Sequence, residues 1–281
     1  MIRTAPHRKT ARPLVRLCLL LMPLYTFPAT AQAPADPLHS PVWETLVKRT
    51  FGDARVVFDD RVKIVVPSIV ENQAQVPVTA DARAIPNVVQ VIVLADLNPI
   101  QHVLTLRTGK AQPYISFRMK VEQATPIRVA AMTSGGTWHV GGVYLDATGG
   151  GCSASAMARN EADWSDTVGQ AQGKVWRDLD GTARVRLRVR HPMDTGLAKD
   201  NTPAFYIEKL DVRRANGEPL AGLELFEPVS EDPTVTLLMR VPASDASLLF
   251  EGRDNNGTVY KSVLPVPLHQ SWMPAATEAR Q

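Results

Sequence analysis

Residues 114–122 place Ile115, Phe117, Met119 and Val121 in strict alternation with Ser116, Arg118, Lys120 and Glu122. A repeat of two puts one set of side chains on a buried face and the other toward water, which a strand can satisfy and a helix cannot. The pattern recurs on both sides of this stretch. Strands are expected over 62–66, at Val76 and Val78, over 102–107, over 127–132 and over 138–145, with Ser134-Gly135-Gly136 as a turn. Residues 88–94 are apolar almost throughout, as in a strand covered on both faces. About seven short strands over some ninety residues predict an immunoglobulin-like β-sandwich. Ahead of it, Val42, Leu46, Val47 and Phe51 recur at helical spacing behind Ser40-Pro41, which predicts one short helix ending at Gly52.

A second run of alternation opens at Asp180-Gly181. Val185, Leu187 and Val189 alternate with Arg184, Arg186, Arg188 and Arg190, a row read as a solvated outer face because alternation alone demands no ligand. Further strands are expected over 206–212, 220–226, 235–241 and 247–251, with Asn216-Gly217 and Asn256-Gly257 as hairpin turns. The chain is thus expected to be all-β: two immunoglobulin-like sandwiches, residues 41–146 and 180–266, joined by a flexible Gly/Ala/Ser-rich linker over 147–179. Residues 267–281 are expected to form a disordered tail.

The first residues carry Arg3, Arg8, Lys9, Arg12 and Arg16 without an acid, then an apolar run from Leu17, then Ala29-Thr30-Ala31. This is the pattern of a Sec-type signal peptide over 1–31, cleaved after Ala31, and it predicts a periplasmic protein with no membrane insertion after cleavage. Removing those five basic residues takes the formal charge from +3 to −2, so the basic balance belongs to the signal and nucleic acid is not an expected partner. Cleavage also removes Cys18. A single cysteine, Cys152, then remains, and an exported chain with one thiol can form no internal disulfide.

Cys152 lies within residues 147–156, ten small residues in a row, with Gly149, Gly150 and Gly151 before it and Ser153 and Ala154 after it. Such a stretch reads as a flexible arm. No Lys, Arg or His lies between His139 and Arg159 to activate the sulfur, so a thiol in an extended, solvated loop should ionise near about 8.5. That suits a carrier whose partners supply the activation better than it suits a catalyst. Residues 153–180 would reach roughly 90 Å if fully extended, far enough for the thiol to visit a partner. Two other readings stay open here: an incidental cysteine in a linker, and an intermolecular disulfide.

Other chemistry is not signalled. There is no CxxC, HExxH, phosphate-binding glycine loop or GxSxG elbow. His39, His102, His139, His191 and His269 are scattered without metal-ligand spacing, so each reads as a structural or surface residue and no metal, cofactor or catalytic residue is expected.

Two stretches resemble known families. Val66-Pro67-Ser68-Ile69-Val70-Glu71-Asn72 with Val76-Pro77-Val78, in a sandwich that ends on glycines and a cysteine, resembles SoxY, the sulfur-carrying subunit of the periplasmic thiosulfate-oxidising system. His191-Pro192-Met193-Asp194-Thr195-Gly196, followed by Lys199-Asp200, Ile207 and Asn216-Gly217, resembles its partner subunit SoxZ. The resemblance implies a SoxYZ fusion, with Cys152 as the residue to which sulfur intermediates attach covalently while other Sox enzymes process them. The motif at 191–196 is implied to be a fold and interface element without chemistry. The SoxY tip is Gly-Gly-Cys-Gly-Gly at a free C-terminus; here it is Gly-Gly-Gly-Cys-Ser-Ala-Ser and the chain continues, so the arm is tethered at both ends. The sequence resembles equally the fused SoxYZ-like carriers associated with quinoprotein dehydrogenases, which makes such a dehydrogenase system the alternative partner. A non-catalytic accessory protein for that system, with an incidental cysteine, is the alternative function.

Overall fold

A computed structural model describes Met1, residues 34–178 and residues 180–267, and every element below lies in one compact unit, Ala31–Gln281. The expected signal peptide, His269 and most of the expected disordered tail fall outside the described residues.

One helix, α1 (Trp43–Phe51), precedes eight strands: β1 (Val56–Phe58), β2 (Lys63–Val65), β3 (Val76–Asp81), β4 (Val88–Ala95), β5 (His102–Arg107), β6 (Ala111–Met119), β7 (Thr125–Thr133) and β8 (Trp138–Leu145). After a connecting segment with a 3-10 turn at Met157–Asn160 and a four-residue helix, α2 (Trp164–Thr167), come seven more. These are β9 (Ala171–Arg177), β10 (Thr182–Val189), β11 (Ile207–Arg214), β12 (Pro219–Leu225), β13 (Thr234–Arg240), β14 (Ser247–Asp254) and β15 (Val259–Pro265). The all-β expectation and the short N-terminal helix are met.

The helix starts later than expected. The backbone N–H of Ser40, the residue just ahead of the expected helix, donates to Asp36 at 2.7 Å, and the N-cap position falls on Val42. Its buried face, Trp43, Leu46, Val47 and Phe51, covers Ile92 and Leu94 on β4, Ala130 on β7, and Trp138 and Val140 on β8. Val91 and Val93 turn the other way, into the sandwich core. The stretch 91–94 is therefore buried on both faces because α1 roofs one of them, whereas Val89, at the start of the strand, is exposed.

The two halves are joined by far more than a linker. One sheet runs β1-β8-β7-β4-β5-β12-β11-β14-β15 and the other β2-β3-β6-β13-β10-β9. The first crosses between the halves where β5 pairs antiparallel with β12, setting Leu104 opposite Leu225 and Leu106 opposite Leu223. The second crosses where β6 pairs with β13, setting Ile115 opposite Leu237. Each half covers the other's open strand edges, and one continuous core runs through both.

The second sheet also claims β9, inside the region expected to be linker. Residues 171–177 read Ala-Gln-Gly-Lys-Val-Trp-Arg, and only Val175 and Arg177 are buried. A terminal strand of this kind leaves one face to water, so too few apolar positions remain to declare its period. The arginine row on β10 stands on the outer face as read: Ala183, Val185, Leu187 and Val189 are buried, while Arg188 pairs with Asp232 and the nearby Arg190 with Glu161 and Asp232.

Candidate functional site

Cys152 lies on the stretch that leaves β8, and this stretch is not extended into solvent. It folds back along residues 121–122, where the chain runs out of β6, and against the loop before β3. The backbone N–H of Gly150 donates to the Glu122 carbonyl at 3.1 Å, and that of Gly151 to the Val121 carbonyl at 3.0 Å. The Gln73 side chain donates to Thr148 Oγ1 at 2.6 Å. The Glu122 carboxylate then takes the arm's next donors, accepting from the N–H of Cys152 (2.9 Å), the N–H of Ser153 (3.0 Å) and the hydroxyl of Ser153 (2.9 Å).

The glycines have a different use from the one expected. A Cβ on Gly151 would sit 2.1 Å from the Gln73 carbonyl oxygen and 2.7 Å from that of Val121. One on Gly149, whose φ is +97°, would sit 2.2 Å from the Glu122 carbonyl oxygen. These positions need glycine because backbone meets backbone there. Gly150 and Ala154 face solvent, and Ser153 is half-buried.

The other wall of the seat comes from the second half of the chain. Thr195 Oγ1 donates a 2.6 Å hydrogen bond to the Cys152 carbonyl. Thr195 and its neighbours His191, Met193 and Asp194 are all buried. Beyond the cysteine, Ser155 Oγ donates to Asp200 at 2.8 Å, and Arg159 pairs with Asp194 at 2.5 Å while lying over the Trp164 ring. The segment is thus stitched down on both sides of the thiol.

Cys152 is 1% exposed, which corrects the expectation of a solvated thiol with an ordinary pKa. Burial, reinforced by the Glu122 charge and opposed by Lys120, pushes the thiol up to about 12. At neutral pH about one molecule in 10^5 is then thiolate. In this seat the thiol is neutral, shielded from solvent and a poor nucleophile.

Lys120 and Glu122 were expected on the outer face of a strand with Arg118. Arg118 is exposed, but β6 ends at Met119, and Lys120 is 4% exposed beneath the second half. Its ammonium donates to the backbone carbonyls of Met193 and, at 3.5 Å, Glu227. Burial lowers its pKa to about 8, against the charges of Asp194, Glu231 and Glu227. Lys120 and Glu122 are the members of the seat that sequence reasoning missed, whereas Thr195 lies in the 191–196 motif expected to be an interface element. The available signal was that the alternation ends in two charged positions, Lys120 and Glu122, on either side of Val121 just before a turn.

His191 is also fully buried. Its Nδ1 accepts the Met193 N–H at 3.0 Å, its ring packs against Phe205 at 4.3 Å, and Nε2 has no partner among the described residues. Burial holds it at about 4, so it is neutral and structural at physiological pH. His102 stacks on Phe226 across the junction of the halves, and His139 contacts Asp59. Among the described residues no group of His, Cys, Asp and Glu is placed to hold a metal, and no helix is long and apolar enough to cross a membrane.

The family profile for sulfur oxidation protein SoxY matches residues 47–152, and that for sulphur oxidation protein SoxZ matches residues 174–264. The chain is a SoxY–SoxZ fusion. The SoxY match ends on Cys152 itself, and the SoxZ match takes in β9. No curated protein matches the chain. Among solved structures, the sulfur carrier protein SoxY from Chlorobium limicola f thiosulfatophilum is 22% identical, with a TM-score of 0.34, over 37% of this chain and 94% of that one. A glycosyl hydrolase family 2 member from Bacteroides cellulosilyticus is 14% identical (TM-score 0.19), over 71% of this chain. A β-glycosidase from Bacteroides vulgatus is 10% identical (TM-score 0.20), over 74% of this chain. The fusion spans 28% and 25% of those two enzymes' lengths. The seat of Cys152 is accordingly built by both halves: Glu122 and Lys120 come from SoxY, Thr195 and Met193 from SoxZ.

Proposed function

We propose that this fusion is an exported, periplasmic carrier without catalytic residues of its own, which holds sulfur intermediates covalently on Cys152 for partner enzymes of the Sox type. The observation that carries this reading is that the SoxY match ends on the one cysteine left after signal cleavage, on a segment both halves combine to seat. In the docked state the sulfur is shielded from solvent and from stray thiols. Undocking exposes it and lets its pKa fall toward about 8.5, where a few per cent is thiolate at neutral pH.

Both ends of the arm stay anchored, by β8 before it and by the Arg159–Asp194 pair after it. A loop released between residues 146 and 157 carries Cys152 outward by no more than about 20 Å, rather than the reach of a freely extended chain. Partners must therefore accept a short hairpin at their entrance.

Intact mass measurement of the mature protein from sulfur-supplied cells tests the reading. Adducts of added sulfur or thiosulfonate on Cys152 are expected, and a wholly unmodified population refutes it. A second reading, an accessory protein for an exported quinoprotein dehydrogenase with an incidental cysteine, is favoured by the burial of the thiol. Cys152→Ser separates the two, since a carrier loses all function and an accessory protein keeps its partner complex.

A further inference from the structure

Lys120 is a buried ammonium without an anion. Its two acceptors are backbone carbonyls, and among the described residues no carboxylate lies within ion-pair distance of its nitrogen. Of the nearby acids, Asp194 is engaged with Arg159, Glu231 with the N–H of Ala158 and Glu122 with the arm's backbone, while the Glu227 carboxylate acts on Lys120 from beyond ion-pair distance. An apolar side chain of similar length would fill this space without desolvating a charge. The seat thus carries a positive charge that no carboxylate among the described residues contacts while the thiol is unloaded and neutral.

Loading changes that balance. A sulfonate-terminated or persulfide sulfur on a cysteine is an anion at neutral pH, whereas the docked thiol is not. A loaded arm returning to this seat brings a negative charge between Val121, whose carbonyl accepts the Gly151 N–H, and Thr195, which bonds the Cys152 carbonyl. Lys120 is buried between the same two segments, next to Val121 in the chain and bonded to Met193, two residues before Thr195. Building on the carrier reading, we propose that Lys120 is the positioning residue for anionic cargo: its ammonium supplies the counter-charge that lets a loaded Cys152 dock between the SoxY and SoxZ halves.

The test installs two cargoes of similar shape on the full mature protein. Tetrathionate converts the thiolate RS⁻ to RS–S–SO3⁻ with release of thiosulfate. tert-Butyl methanethiosulfonate converts it to RS–S–C(CH3)3 with release of methanesulfinate. After intact mass confirms full conversion, hydrogen exchange of the Cys152 and Ser153 amides reports docking. The anionic adduct is expected to exchange about tenfold more slowly than the neutral one in the native protein, and faster than it in Lys120→Met. Equal rates in the native protein, or an unchanged advantage in Lys120→Met, overturn the proposal.

A second readout needs no variant. The pH midpoint of the Lys120 side chain, followed by NMR of its 13Cε, should rise by about one pH unit or more with the anionic adduct and stay put with the neutral one. Asp194, Glu227 and Glu231 are the acidic groups whose charges already raise it, and His191 stays neutral over the range scanned. An unmoved midpoint overturns the assignment. The cargo is installed chemically, so failure here is distinct from failure of the carrier reading, which rests on the mass of the native protein.

Discussion

The hydroxyl of Thr195, in the SoxZ half, donates a 2.6 Å hydrogen bond to the backbone carbonyl of Cys152, at the end of the SoxY half. The half without the thiol thus helps decide whether the thiol is hidden. Thr195→Val keeps the shape and removes the donor, leaving a buried carbonyl unpaired at a cost of about 1 kcal/mol or more to the docked state. Alkylation of native Cys152 by iodoacetamide is expected to accelerate about five- to tenfold with little change in Tm. An unchanged rate would mean that this bond does not hold the arm.

Two neighbouring glycines should behave differently. In Gly151→Ala the new methyl meets the backbone oxygens of Gln73 and Val121, neither of which can swing aside, so the arm cannot seat and Cys152 should be freely alkylated. Gly150→Ala meets nothing within 4 Å and bears only the strain of its φ of +86°, about 1 kcal/mol, so its thiol should stay largely protected. If both variants label alike, the arm's glycines serve freedom rather than fit.

Lys120 should cost the fold stability at neutral pH. Its folded pKa of about 8 lies below the unfolded value of about 10.4, so the unfolded state holds the extra proton between these limits and stability attributable to Lys120 rises with pH across them. Lys120→Met is therefore expected to resist urea better at pH 7, by an amount on the order of 3 kcal/mol at most, with the advantage shrinking as pH approaches 10. Urea unfolding of both proteins at the two pH values measures this. A variant less stable at pH 7 would show that the bonds to Met193 and Glu227 outweigh the buried charge.

The thiol has the opposite linkage. Its folded pKa, about 12, lies above the unfolded one, so the stability it lends is complete below about 8.5 and is lost as pH rises toward 12. Alkylation of native Cys152 should keep climbing well past pH 9, whereas in urea it should level off near its ordinary midpoint. A native profile that levels off at the same pH as the denatured one would place the thiol in solvent.

Much of this was legible locally. The alternation at 114–122 and 183–189 gave strands because backbone pleat alone fixes which side chains share a face. The apolar run at 88–94 was read as doubly covered, which holds for 91–94 and not for the exposed Val89; the second cover, α1, lies some forty residues earlier in the chain. Strand β9 escaped because a strand at the end of a sheet need bury little of itself.

The sequence by itself determined the two β halves, their order, the one cysteine within residues 147–156 and the small residues around it. Tertiary structure alone decided what those small residues do. Composition cannot distinguish a glycine kept for freedom from one kept because a carbonyl oxygen lies 2.1 Å from where its Cβ would be. Nor does alternation reveal that the second half closes over the end of β6, burying Lys120 where a solvated lysine was expected. Both outcomes arise from contacts between residues tens of positions apart, and so does the neutrality of Cys152: its pKa is set by Glu122, Lys120 and burial, none of which lies beside it in the chain.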